Sequence, residues 1–235
     1  MQDYLLFIDT EATGLPLKWT KPYTDSNNWP TAVQVAWIVF NKAGQELKRE
    51  NFYISNNDVP ITRQAQQIHQ LNADYLRENG MPRAFVMQKI AEDLQTYSPL
   101  IVGHFVALDF HILGADFARS GLSSPLMRFP LFCTMLASEK YSRKPWVKYL
   151  RLGEFFSELF HKEMINAHNA IVDAETTSLC FFELQKRGDI TDEMIASQQH
   201  KFDVQLALKN KSSGYLWIKF LLLVGLLILI IMIVT

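Results

Sequence analysis

The chain has 235 residues and a mass of 27.1 kDa, with 49% hydrophobic and 20% charged side chains. That composition excludes a disordered protein and leaves room for one α/β domain with an appendage. Twenty-three basic side chains face 24 acidic ones, for a net charge of −1, so a polyanion has to be held by local patches or by metal ions rather than by bulk charge. Cys133 and Cys180 are the only cysteines, too few for a disulfide scaffold, and no signal peptide is expected because Asp3 precedes an apolar run, Leu5–Ile8, that is too short.

In chain order, Tyr4–Ile8 reads as a short apolar strand, and Ala32–Phe40 as a central strand, nearly continuous in apolar and β-branched residues. The turn Lys42-Ala43-Gly44 predicts an antiparallel hairpin into a third strand at Glu46–Ile54. Asn72 is placed to cap a short helix ending before Gly80, and Pro82 to open the next, in which Val86, Ile90 and Leu94 share one face. Leu100–Gly103 is a fourth strand, followed by helices from about Asp109 to Ser120, around Lys148–Phe160 and over Ala170–Lys186. Strands first, then alternation with helices, predicts a mixed sheet flanked by helices. Residues 188–214 are polar, in part helical, and end in the joint Ser212-Ser213-Gly214.

Residues 215–234 read YLWIKFLLLVGLLILIIMIV. Twenty helical residues span about 30 Å, the hydrocarbon thickness of a bilayer, and a run apolar on every side has no polar face to present to water. Tyr215 and Trp217 suit the interface, and Lys219 can extend its ammonium to the headgroups. The alternative is a buried terminal helix or an oligomer seam. With Lys201, Lys209 and Lys211 preceding the run, the expectation is a single-pass tail anchor in the lipid bilayer with the large N-terminal part in the cytoplasm.

Four carboxylates and one histidine carry the chemistry. The first strand runs into Asp9-Thr10-Glu11, and a two-residue spacing on extended backbone sends both acids to one face. By itself an Asp-x-Glu is usually a polar strand end. Asp109, after a buried strand, equally fits a helix cap. Asp173 opens a helix whose Thr177, Cys180, Phe181 and Leu184 point inward, where an ionised carboxylate is costly without a partner. His168 lies in the loop just before it. Together the four acids match two divalent cations, oxygen ligands favouring Mg²⁺ or Mn²⁺, and a histidine suits the proton transfer of a hydrolytic phosphoryl transfer.

The order Phe7-Ile8-Asp9-Thr10-Glu11-Ala12-Thr13-Gly14-Leu15, then His104 with Asp109, then His168 with Asp173, resembles the three motifs of the DEDDh 3′→5′ exonucleases, which are RNase H-like enzymes. Gln67-Ile68-His69, Cys133-Thr134-Met135 and Lys148-Tyr149-Leu150-Arg151-Leu152 resemble lesser family segments in the same order. The resemblance implies an RNase H-like mixed five-stranded sheet over residues 1–187, ahead of a juxtamembrane segment at 188–214 and the anchor at 215–235. It implies Asp9, Glu11, Asp109 and Asp173 as ligands of two Mg²⁺ or Mn²⁺ and His168 as general base. Substrate contacts fall to Thr10, Thr13, Leu15, His69 and Phe105, with Leu15 against the terminal base. The implied activity is a membrane-tethered exonuclease acting on DNA or RNA 3′ ends and releasing nucleoside 5′-monophosphates. The alternatives are a silent nucleic-acid-binding scaffold and an exoribonuclease of short RNA.

Two departures stand out. Phe105 and Leu108 replace the Asn and Phe usual in the second motif, and Phe105 suits a core position better than a stacking one. The insertion Pro16–Pro30 interleaves Trp19, Tyr23 and Trp29 with Lys18 and Lys21. It forms either a stacking lip for bases or, slightly favoured, a loop closed on its own aromatics. Lys140, Arg143, Lys144, Lys148 and Arg151 either track a phosphate backbone or form a solvated face. His104 and His69 are expected to make local hydrogen bonds, and His111 to sit on a helix surface.

Overall fold

A computed structural model of the chain describes residues 2–56 and 58–207. Five strands, β1 (Tyr4–Ala12), β2 (Ala32–Asn41), β3 (Glu46–Tyr53), β4 (Leu100–Gly103) and β5 (Leu131–Cys133), form one sheet in the order β3-β2-β1-β4-β5. The first three pair antiparallel, whereas β4 runs parallel to β1 and β5 parallel to β4. The helices are α1 (Arg63–His69), α2 (Ala73–Asn79), α3 (Arg83–Tyr97), α4 (Val106–Arg119), α5 (Thr134–Ala137), α6 (Leu152–Phe160) and α7 (Ala170–Lys186), followed by a helical run over residues 192–207. No helix among the described residues is long and apolar enough to cross a membrane; the expected span at 215–234 lies outside them.

Alternation along β1 builds a core on each face of the sheet. Leu6 and Ile8 join Trp37, Ile90, Ile112 and Phe117 under α3 and α4, while Leu5 and Phe7 join Phe155, Phe181 and Leu184 under α6 and α7. Full burial of each such side chain contributes about 1.5–3 kcal/mol. β2 is buried on both faces, as its unbroken apolar sequence requires. The hairpin turn holds Gly44 at φ 79°, and Asn72 caps α2 by accepting from the Tyr75 amide at 2.9 Å.

The two sheet edges are closed differently. β3 carries charge: Arg49 pairs with Glu46 and Glu175. β5 is covered by the last helical run, where Gln199 accepts from the Leu131 amide at 2.7 Å. Gln198 accepts from the Cys133 amide at 2.8 Å and donates to its carbonyl at 3.3 Å. Phe202 packs edge-on against Phe110, with ring centroids 4.9 Å apart.

Three boundaries differ from expectation. β1 does not stop at Ile8 but continues to Ala12, so the Asp9 and Glu11 side chains project from the strand itself. α4 starts at Val106, three residues before Asp109, which is therefore a first-turn residue and not a cap. α6 starts at Leu152 instead of Lys148, because the backbone ahead of it makes long-range bonds: Leu150 donates to Ser138 Oγ and accepts from His104 Nε2.

Candidate active site

Positions 5, 7, 9 and 11 of β1 share a face. Leu5 and Phe7 are covered by α6 and α7, and Asp9 and Glu11 extend the same row to where α7 begins with Asp173 in its first turn. Thr10 points the other way, toward α4, and donates from both its amide (2.9 Å) and its hydroxyl (2.8 Å) to the same oxygen of Asp109. One short strand segment thus positions three of the four acids, two by projection and one by hydrogen bonding.

The start of α7 is held by a residue that the sequence reading missed. Gln34, on β2 opposite Glu11, accepts from the Ala170 amide at 3.2 Å and donates to Asn169 Oδ1 at 3.1 Å and Asn51 Oδ1 at 2.9 Å. It is 1% exposed. The signal was available: Gln34 is the one polar side chain inside the apolar run 32–40. The Asn169 carbonyl then accepts from the Asp173 amide at 2.9 Å. His168, exposed and at φ 67°, donates its amide to Asp173 Oδ1 at 3.3 Å. Phe105, which turns the chain from β4 into α4, is also left-handed at φ 72°. Non-glycine residues rarely adopt that conformation, and it concentrates at functional sites.

The four carboxylates raise one another's cost of ionisation. Burial pushes Glu11 up to about 8, helped by Asp173 and Asp109. Burial raises Asp9 well above the usual carboxylate range, reinforced by Asp109, Asp173 and Glu11. Asp109 is raised to about 7 by burial, against the two Thr10 hydrogen bonds that favour its charged form. Asp173 is raised to about 7 by burial, against the His168 amide. Among the described residues no lysine or arginine forms an ion pair with any of the four. Glu11, His168 and Asp173 each bring one ligand atom within 4.8 Å of the others'. Oxygen donors crowded without a counter-charge, with one imidazole at the rim, fit a hard divalent cation.

The expected substrate residues divide by exposure. Leu15 is 70% exposed and Phe105 37% exposed. Thr10, Thr13 and His69 are buried: Thr13 ties the chain ends of the insertion through Thr31, and His69 Nδ1 accepts from the Leu71 amide at 3.0 Å. His104 bonds Thr134 and the Leu150 carbonyl, each at 3.0 Å, and its burial lowers its pKa to about 4.

Two expectations need correction. Phe105 is not a core residue: its ring stands at the surface, 6.0 Å from that of Trp19. His111 is not on the helix surface but buried, stacked on Trp29 (5.4 Å, 24°) and bonded through Nδ1 to the Tyr23 hydroxyl at 2.7 Å. The insertion largely closes on its own aromatics, as favoured. Trp29 is buried and Tyr23 packs on the bare backbone of Gly114, where an added Cβ would lie 2.7 Å from the ring; Trp19 keeps 39% of its surface exposed. The returning chain is pinned by Asp116, which accepts from Thr31 Oγ1 at 2.6 Å and the Ala32 amide at 2.8 Å. The basic run is largely paired: Lys140 with Asp189, Arg143 with Glu158 and Lys148 with Glu139.

No family model matches the chain, and no curated protein does. Solved structures of exonuclease I share its fold. The E. coli exonuclease I complex with a dT13 oligonucleotide aligns with a TM-score of 0.63 at 19% identity, covering 79% of this chain and 41% of that one. The zinc-bound form of the E. coli ExoI–ssDNA complex gives 0.64 at 19% identity over 79% and 41%. A further exonuclease I structure gives 0.64 at 18% identity over 83% and 43%. The chain thus spans about two fifths of the length of these neighbours, and the likeness establishes the shared fold.

Proposed function

We propose that the chain is a divalent-metal-dependent 3′→5′ exonuclease of the DEDDh kind, held at a membrane through residues 215–234. The observation that carries this reading is the convergence of Asp9, Glu11, Asp109 and Asp173 from three separate elements, with His168 beside them and, among the described residues, no lysine or arginine paired with them. Asp9, Glu11, Asp109 and Asp173 would hold two Mg²⁺ or Mn²⁺. When bound, such ions offset the charge on the phosphodiester and favour ionisation of water at neutral pH. Leu15 packs against the terminal base and places the last phosphodiester over the acids. A ring nitrogen of His168, exposed at the rim, takes the proton of the attacking water and passes it to solvent. Thr10 fixes Asp109, and Gln34 fixes the helix start that bears Asp173. Attack at the last phosphodiester leaves a shortened strand with a 3′-hydroxyl and a nucleoside 5′-monophosphate.

A panel of 5′-labelled and 3′-labelled DNA and RNA, single- and double-stranded, in Mn²⁺ and in EDTA tests the assignment. The expected result is stepwise shortening of 5′-labelled strands and immediate release of labelled mononucleotide from 3′-labelled ones, absent in EDTA and with Asp9→Ala. Equal rates for Asp9→Ala and wild type would instead identify a silent scaffold with contaminating activity. For the tether, alkaline extraction of membranes is expected to leave the full chain in the pellet; release without detergent would remove that part of the proposal.

A further inference from the structure

Trp19, from the insertion, and Phe105, at the turn into α4, have their ring planes 53° apart and both rings partly exposed. Beside them a cavity of about 430 Å³ opens between α4 and the helical run 192–207. Phe202 and His111 complete its aromatic lining, Thr20 and Gln205 supply hydroxyl and amide groups, and no carboxylate lines it. Its size falls within the range of small-molecule pockets, about 300–1,000 Å³.

The position of this cavity says what should enter it. Phe105 directly precedes the helix that carries Asp109 in its first turn, and Trp19 lies on the loop that leaves β1 just after Glu11. Both aromatic walls are therefore covalently continuous with the carboxylate cluster. An aromatic-walled apolar cavity with one hydroxyl and one amide matches a nucleobase, whose face stacks on an aromatic ring and whose edge offers both donors and acceptors. A phosphate group would find no cation among the lining residues, and a peptide helix would need a longer groove.

We propose that this cavity receives one unstacked base of the substrate strand, upstream of the scissile phosphodiester, with one face against the angled aromatic wall of Trp19 and Phe105 and its edge at Thr20 and Gln205. The inference rests on the nuclease reading and narrows its substrate to single-stranded 3′ ends, because a base held in a duplex cannot enter the cavity. Neither wall follows the pattern of the family that the sequence resembles: one is an insertion and the other replaces an Asn.

The test is the length dependence of KM for the full chain in detergent, on single-stranded oligonucleotides from two to eight residues, for wild type, Trp19→Leu, Phe105→Leu and Gln205→Glu. For wild type, KM falls as the strand grows from two to about four residues. Trp19→Leu and Phe105→Leu each raise KM on the octamer by about 10-fold, the size expected for losing one stacked base. Gln205→Glu also raises it by placing a carboxylate at the base edge, and all three change KM on the dinucleotide by less than about 2-fold. Gln205→Glu leaves the aromatic packing intact, so it reads the cavity even where a truncated aromatic disturbs the loop. Equal losses on dinucleotide and octamer, or no loss on either, would overturn the proposal. So would inhibition by added free nucleoside monophosphate that vanishes in Trp19→Leu while the octamer KM stays put, since the occupant would then be the free nucleotide. Absence of hydrolysis at every length is a failure of the nuclease reading instead; anisotropy of a labelled octamer, expected to bind about 10-fold more weakly to Trp19→Leu, then still decides the cavity.

Discussion

Removing divalent metal and raising the pH should strain the protein at one place, the carboxylate cluster. Glu11 is displaced from 4.5 to about 8 and Asp109 from 3.8 to about 7. A shift of about three units corresponds to about 4 kcal/mol for ionising one such group. The four do not add, because leaving one neutral relieves its neighbours, so the whole cluster amounts to several kcal/mol. A carboxyl whose folded pKa lies above its unfolded value contributes stability fully present below the unfolded pKa and lost as pH rises through the folded one. The window therefore runs from about pH 4 to about pH 8. For a domain of this size about 1 kcal/mol moves Tm by roughly 2–4 °C. Thermal melts in EDTA should then show Tm falling by about 10 °C between pH 5 and pH 8.5. Excess Mn²⁺ should restore most of the loss at pH 8.5 and add little at pH 5, where protons already neutralise the cluster. A Tm in EDTA that is flat across this window, or metal stabilisation that is larger at pH 5, would refute the electrostatic account of the site.

Two substitutions separate roles within the site. His168→Gln is expected to lower kcat by about 10²–10⁴-fold if the imidazole moves the proton, with Mn²⁺ affinity from calorimetry within 3-fold of wild type. A matching loss of Mn²⁺ affinity would make His168 a ligand, as its nearness to Glu11 and Asp173 also permits. Gln34→Leu strands the Ala170 amide and releases Asn169, and loss of such buried partners costs about 1–3 kcal/mol. Mn²⁺ affinity should fall by roughly 10-fold or more as Asp173 loses its fixed position, and calorimetry that finds it unchanged would show that α7 is positioned without Gln34.

The sequence was most legible where a local rule and the tertiary structure agree. Asn72 caps because its side chain needs only the Tyr75 amide, and α7 begins and ends as its pattern predicts because its inward stripe is long and unbroken. The acids were visible as spacing, since alternation on β1 carries the row from Leu5 and Phe7 to Asp9 and Glu11. What escaped depends on distant partners. β5 is three residues long and finds its edge partners in Gln198 and Gln199, more than 60 residues away. Residues 148–151 fit a helix locally but spend their backbone groups on Ser138 and His104. His111 looked like a surface residue because nothing nearby in sequence announces that Tyr23 and Trp29 fold back over it. The basic run was open between a phosphate track and a solvated face, and its pairing with Asp189, Glu158 and Glu139 depends on residues that local sequence does not join to it.

Direct titration of the metal-free full chain with Mn²⁺, followed by electron paramagnetic resonance, tests the central claim most closely. The account predicts two bound Mn²⁺ per chain at pH 8, spin-coupled through their proximity, with Asp9→Asn and Asp173→Asn each abolishing the coupled signal. Binding that is absent in wild type, or equally strong in both variants, would contradict it.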